Sequence, residues 1–282
     1  AGLPQYNQKR YFASNPTPVL ETKLDGPHRL FVSTQVHVTT HKYWGYYTDV
    51  LNPDAVQRYI DLTHERYYAR FGEKFGTSIR SIFVDETQPS WSALVPDAFR
   101  EKIGYDLVPL LPALQDGSHP QHTQVAADLN SLLYHMFLDT YDIPMQDWCE
   151  KHGIGYSGEK HSMRLSQLKH MHIPGCDPGH TKAGAETLDI LIGDTRRSAK
   201  ATASAAYFYD KEGALDECYH SLGWSGTMQD AKLIAEMLIL MDIRYLVPHG
   251  FFYSTHALKK HDAPPTFFFQ MPYWPLWHRL SD

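Results

Sequence analysis

Apolar and polar positions along this chain change period repeatedly, and those changes mark its elements. Ile79, Ile82, Phe83 and Val84 form a short, β-branched apolar run that stops at two acids, Asp85 and Glu86. Turn residues Gln88, Pro89 and Ser90 follow, then Trp91. This pattern predicts a buried strand that delivers a carboxylate to a polar, aromatic rim. Further strands are predicted over residues 29–38 (RLFVSTQVHV), 153–159 (GIGYSGE), 171–177 (MHIPGCD), 214–219 (ALDECY) and 244–249 (RYLVPH). Helical periodicity fills residues 55–76, opened by Asn52, Pro53 and Asp54 and closed by Gly76. A short helix is predicted from residue 97, a long one over 121–151, and two more over 196–209 and 230–241. Pro109 and Pro112 argue against a regular strand around them. Residues 188–192 read equally as helix or strand.

Strand and helix alternate without a linker, repeat or low-complexity tract, which predicts one α/β domain over residues 1–282 with a parallel sheet. Residues 29–38, 55–76 and 79–86 read as a βαβ unit. The expected architecture is a (β/α)8, TIM-barrel-like fold, in which the C-terminal ends of the strands carry the chemistry. Six strand candidates fall short of the eight a closed barrel needs, and the shortage lies at the N-terminal end. Either the barrel is incomplete there, as a fragment of a larger multidomain protein would be, or the pattern hides strands.

Composition narrows the function classes. The 43% hydrophobic and 21% charged residues are those of a globular protein. A formal charge of −6 argues against a nucleic-acid partner, which selects a basic face. No apolar run approaches the roughly 20 residues of a membrane span, so no membrane partner is expected. The three cysteines, Cys149, Cys176 and Cys218, show no CxxC spacing; they read as buried small hydrophobes, not as a disulfide framework or zinc knuckle. No HExxH, GxSxG or phosphate-loop pattern is present. The first residues, AGLPQYNQKR, show no signal peptide and leave the compartment open. Aromatic residues at 13% suit a cleft that stacks sugars, or equally a large core.

Three of the predicted strands end in glutamate: Glu86, Glu159 and Glu217. A pair of carboxyl groups is what glycosidic cleavage requires, one giving a proton to the leaving oxygen and the other activating water or attacking the sugar. A solvated rim acid is the plain alternative for each one. Asp85 and Glu86 cannot both face one centre if the strand is regular, because successive residues point to opposite sides. Glu86 is therefore read as the catalyst and Asp85 as its support. Aromatic neighbours, Trp91 on one side and Tyr219 and Trp224 on the other, strengthen the pair Glu86 and Glu217.

The longer motifs go further. The run FVDETQPSW, followed by FREKIGYDLVPLLPAL, resembles the acid-bearing segment of glycoside hydrolase family 106, the α-L-rhamnosidases. IPGCDPGHTKAGAETLDIL, RRSAKATASAAYFYDKEGALDECYHSLGW and ILMDIRYLVPHGFFYS resemble later segments of that family in the same order, and the resemblance covers about residues 50–280. It implies an inverting hydrolase with Glu86 as general acid and Glu217 as general base, on the fourth and seventh strands if residues 29–38 are the third. It implies sugar contacts from His249 and Glu159, and Asp85, Trp91, His220, Trp224 and Tyr253, by their positions, are read as further substrate contacts. The residues themselves require no cofactor; the resemblance implies Ca2+, with Glu186 as the metal ligand and Glu186 or Glu159 near that ion or the sugar. The implied partner is a carbohydrate, a terminal deoxysugar such as α-L-rhamnose on a plant-type polysaccharide. The implied setting is extracellular or periplasmic. A retaining barrel glycosidase with Glu217 as nucleophile, and a non-catalytic or truncated carbohydrate-binding barrel, are the alternatives.

Overall fold

The computed structural model describes residues 23, 25–29, 31–35, 47–85, 87–160, 164–177, 199–219, 226–250 and 273–281. They fall into two compact units. The first is formed by Ala1–Glu65 with Pro89–Tyr141, the second by Arg66–Gln88 with Asp142–Asp282.

The first unit is helical. Helix α1, Pro53–Leu62, starts as its sequence dictates: the Asn52 side chain accepts from the Asp54 amide and Pro53 occupies the first turn. It does not run on to Gly76. The Thr63 hydroxyl bonds back to the Tyr59 carbonyl at 2.7 Å and also meets His64 Nδ1 at 2.7 Å. That local competition for backbone partners closes the helix, and α2, His64–Phe71, restarts after it. Helix α3, Val95–Ile103, ends at Gly104 with φ of 94°, a left-handed C-cap suited to glycine. The segment with Pro109 and Pro112 is a 3-10 turn, Val108–Leu110, and a short helix α4, Leu111–Gln115. Helix α5, His122–Phe137, buries Val125, Leu129 and Leu132, while Val95 and Phe99 are the buried residues of α3.

The long helix expected over 121–151 is two helices. α5 ends at Phe137, a π-helical turn Leu138–Asp142 follows, and α6 covers Ile143–Lys151. Pro144 has no N–H to give the Thr140 carbonyl, so the i to i−4 ladder must change register there. The expected strand over 29–38 is also corrected. Its described residues, 29 and 31–35, form no strand, and Val32 is 67% exposed. A β-branched run without a ladder partner has nothing to pair its backbone.

The second unit is built on a five-stranded sheet, wholly parallel, with strands in the order of the chain. These are β1 Ser81–Val84, β2 Gly155–Glu159, β3 Ile173–Cys176, β4 Ala214–Cys218 and β5 Ile243–Pro248. Helix α6 packs on β2; helix α7, Ala199–Phe208, packs on β3 and β4; helix α8, Met228–Leu240, packs on β5. The Ala and Ser content of α7 is what allows its close seat, and Ala199, Ala203, Ala205 and Ala206 are all buried. Sequential order means that no pair of neighbouring strands diverges, so this sheet has no crevice of the doubly wound kind. Whatever the strands deliver must be delivered at their C-terminal ends.

Two glycines draw those ends together. Gly158 has φ of +135°, and a Cβ there would lie 2.1 Å from the Val84 carbonyl oxygen of β1. A Cβ on Gly175 would lie 2.3 Å from the Gly158 carbonyl oxygen and 3.0 Å from the Leu215 side chain. No side chain fits at either place. Gly158→Ala should therefore destabilise the fold by ~3 kcal/mol or more, to be read from urea denaturation or from loss of soluble protein. Gly117→Ala, where a Cβ meets nothing within 4 Å, is the control.

Candidate active site

At the C-terminal edge of the sheet the strands end in acids. Asp85 follows β1, Glu159 is the last residue of β2, Asp177 follows β3, and Asp216 and Glu217 lie near the end of β4. Alternation along β4 sends its two acids to opposite sides. Asp216 faces α7: its Oδ2 accepts from Cys176 Sγ at 3.4 Å, and Thr202 of α7 also bonds that thiol. Glu217 faces the other way. There, carboxylate oxygens of Asp85, Glu159 and Glu217 all lie within 4.8 Å of one another. The close approach of β1, β2 and β3 through Gly158 and Gly175 brings the strand ends of the cluster near.

Exposure grades across the three. Asp85 is exposed, Glu217 is half-buried and Glu159 is 2% exposed. Burial drives the Glu159 carboxyl far above its ordinary value of 4.5. The charges of Glu217, Asp177 and Asp85 add to that, as does a hydrogen bond in which protonated Glu159 donates to Asp85. The other oxygen, Oε2, is buried without a hydrogen-bond partner. Asp216 is likewise raised, to about 8, by burial first and then by Asp177 and Glu217, against the opposing bond from Cys176. Five acids thus crowd one edge. Lys160, next in the chain, is itself 3% exposed and bonded to Asp142.

Such an arrangement has two chemical uses. A carboxylic acid kept neutral beside an ionised one is a proton donor next to a base or nucleophile. The same three oxygen donors, with one lone pair set buried and unused, suit a hard divalent cation. Oxygens sharing one calcium ion at 2.3–2.6 Å from it are at most about 5 Å apart, which the 4.8 Å cluster satisfies.

The predicted residues are distributed as follows. Asp85, Glu159 and Glu217 come together, and Asp85, read from sequence as support, is the acid after β1 whose carboxyl joins them. His249 follows β5 at the same edge, and its amide donates to the Cys218 carbonyl at 2.8 Å. Trp91 belongs to the first unit, where its indole N–H donates to Gln35 at 3.3 Å. Glu86, Glu186, His220, Trp224 and Tyr253 lie outside the described residues. Asp177 and Lys160 escaped the sequence reading. The strand-end rule that selected Glu159 applies equally to Asp177, and the Glu159–Lys160 doublet at the end of an apolar strand was a signal that both could be buried. The three cysteines are buried and free, as expected.

The chain is similar to known proteins. The family model of glycoside hydrolase family 106, described as alpha-L-rhamnosidase, matches residues 31–259. Among solved structures, the rhamnosidase from Novosphingobium sp. PP1Y matches with a TM-score of 0.55 and 19% identity, over 72% of this chain. The match takes in 20% of that protein, so this chain corresponds to about a fifth of its length. No curated protein matches the chain.

The Glu159 shift has a testable sign. An acid raised in the folded state stays protonated there while the unfolded chain ionises, so it costs stability above its unfolded value near 4.5 and costs nothing below it. Without divalent cations, Glu159→Gln should therefore melt several degrees above wild type at pH 7–8. The difference should close as pH falls toward 4, as followed by calorimetry across pH.

Proposed function

Since the chain belongs to the α-L-rhamnosidase family of glycoside hydrolases, we propose that it forms the acid-bearing part of a (β/α)8 barrel that hydrolyses a terminal α-L-rhamnoside. The observation that carries this reading is the convergence of Asp85, Glu159 and Glu217 at the C-terminal edge of a sequentially ordered parallel sheet. That edge is where a barrel carries its chemistry.

In the inverting form of the reaction, Glu86 gives its proton to the leaving glycosidic oxygen as the bond to the anomeric carbon breaks. Glu217, half-buried, takes a proton from the water that attacks the opposite face. Asp85 and Glu159, whose carboxyl oxygens lie within 4.8 Å of that of Glu217, hold it in place. The buried, unpartnered Glu159 Oε2 and the three close carboxylates fit Ca2+, which Asp85, Glu159 and Glu217 would hold. Bound there, the ion supplies positive charge for the sugar hydroxyls and offsets the three acids. Glu159 must lose its proton to serve as a ligand, so calcium affinity falls as pH falls. His249 at the end of β5 is the partner for a sugar hydroxyl.

The short reach between Glu159 and Glu217 favours a second reading. Carboxyl groups about 5–5.5 Å apart characterise retaining glycosidases, against about 6.5–9.5 Å for inverting ones. In that form Glu159 donates and Glu217 attacks the anomeric carbon.

In the full-length protein that carries this chain, an aryl α-L-rhamnoside should be turned over. Glu217→Gln should lower kcat by at least ~10³-fold with the fold intact, in either form. Glu86→Gln should do the same only in the inverting form, and Glu159→Gln should leave an acid-independent substrate with a good leaving group least affected. The anomer released first, followed by proton NMR, separates inversion from retention. Binding of rhamnosides without product would replace both with a non-catalytic, sugar-binding barrel. In the inverting form, EDTA should suppress turnover and lower the melting temperature, and Ca2+ should restore both.

A further inference from the structure

Glu159 owes its place in the acid cluster to the residue after it. The ladder between β1 and β2 ends at the pair Val84 and Gly158, and that between β2 and β3 ends at Gly175 and Glu159. Lys160 lies past both, where no strand pairing fixes the backbone. Glu159 is the last paired residue of β2, so its place at the strand end depends on what holds the chain just beyond it.

The side chain of Lys160 supplies the hold. It leaves the strand on the face opposite Glu159. Its Nζ reaches Asp142 Oδ1 at 2.5 Å and the Tyr156 hydroxyl at 2.9 Å. Tyr156, four residues back on the same face of β2, donates from its hydroxyl to the same Asp142 oxygen at 2.9 Å. Gln167, in the 3-10 helix Leu165–His170, donates to Asp142 Oδ2 at 3.2 Å. All four side chains are buried, with Lys160 3% and Asp142 1% exposed. Asp142 closes the π-helical turn that leads into α6, and α6 packs on β2. The Asp142 end of the clamp is thus tied to α6, which packs on β2.

We propose that the Lys160–Asp142 pair, with Tyr156 and Gln167, is a positioning device: it pins the end of β2 so that the Glu159 carboxyl stays within the acid cluster. The device deepens the reading of Asp85, Glu159 and Glu217 as one cation- and sugar-holding site, and rests on it. The four side chains bond one another around Asp142, on the face opposite Glu159. They act through two peptide units of backbone, as outer residues do at metal sites, where their loss costs about 10–100-fold in affinity.

A purely structural ion pair behaves differently, and the difference is measurable. Removing one partner leaves an uncompensated buried charge, whereas removing both is often neutral for stability. Lys160→Met and Asp142→Asn should each lower the melting temperature strongly, and the double variant should recover most of it. Positioning predicts that the recovered double variant, in the full-length protein, still binds Ca2+ at least about tenfold more weakly than wild type by calorimetry. Its crystal structure should show the Glu159 carboxyl displaced from Asp85 and Glu217. Tyr156→Phe, which removes one hydroxyl and keeps the ring, should weaken Ca2+ severalfold without loss of fold, and it serves if the double variant does not accumulate. Wild-type Ca2+ affinity in the double variant or in Tyr156→Phe, or an undisplaced Glu159 in the crystal structure of either, overturns the proposal. If wild type itself binds no Ca2+ that Glu159→Gln abolishes, the cation reading of the site has failed. The position of the Glu159 carboxyl in the variant's crystal structure then decides the positioning claim alone.

Discussion

Carboxylates held within 4.8 Å of one another, one of them almost wholly buried, cannot all carry charge unaided. The protein meets this constraint in three ways at once. Glu159 is kept neutral by burial and by its neighbours. Asp216 is turned to the far side of β4 and bonded to Cys176. Lys160, the buried amine next to Glu159 in the chain, is bound to Asp142 behind the strand, away from the cluster. An ammonium turned the other way would neutralise the acids and end their use. Keeping the positive charge behind the strand leaves the acids in need of an outside partner, either a proton or a cation, and a site in need of a partner is one that can bind.

The backbone carries the rest of the arrangement. Parallel strands in sequential order present their ends to one edge. Glycine at 158 and 175 removes the side chains that would hold those ends apart. The π-helical turn before α6 places Asp142 where a continuous helix from 121 to 151 would not have placed it. Local irregularity and global order therefore serve the same few ångströms of space.

Much of this was legible in the residues. The apolar runs ending at Val84, Glu159, Cys176, Cys218 and Pro248 are strands within one or two residues of where hydrophobic periodicity puts them. The strand-end acids Glu159 and Glu217 stand out because each lies at the end of a segment that reads as a strand. What stayed hidden depends on partners. Residues 31–35 have a strand's composition and form no strand, because pairing decides a strand and composition does not. The helix over 55–76 is broken at Thr63 by a side-chain bond to the Tyr59 carbonyl that periodicity does not register. Alternation says that only one of Asp85 and Glu86 faces the centre, but the choice rests on where the strand stops being regular, and β1 stops at Val84. Lys160 is a surface residue by every compositional rule and is buried because Asp142, 18 positions earlier, waits for it.

The glycine contacts at 158 and 175 also bear on how this scaffold can diversify. A pocket can be reshaped only where its walls tolerate a new side chain, and here the inner floor beneath the acids tolerates none. Descendants of this sequence that accept a bulkier or differently linked sugar must find room elsewhere, in the segments that follow each strand. The floor is shared inheritance; the variation that tunes selectivity belongs to the loops above it.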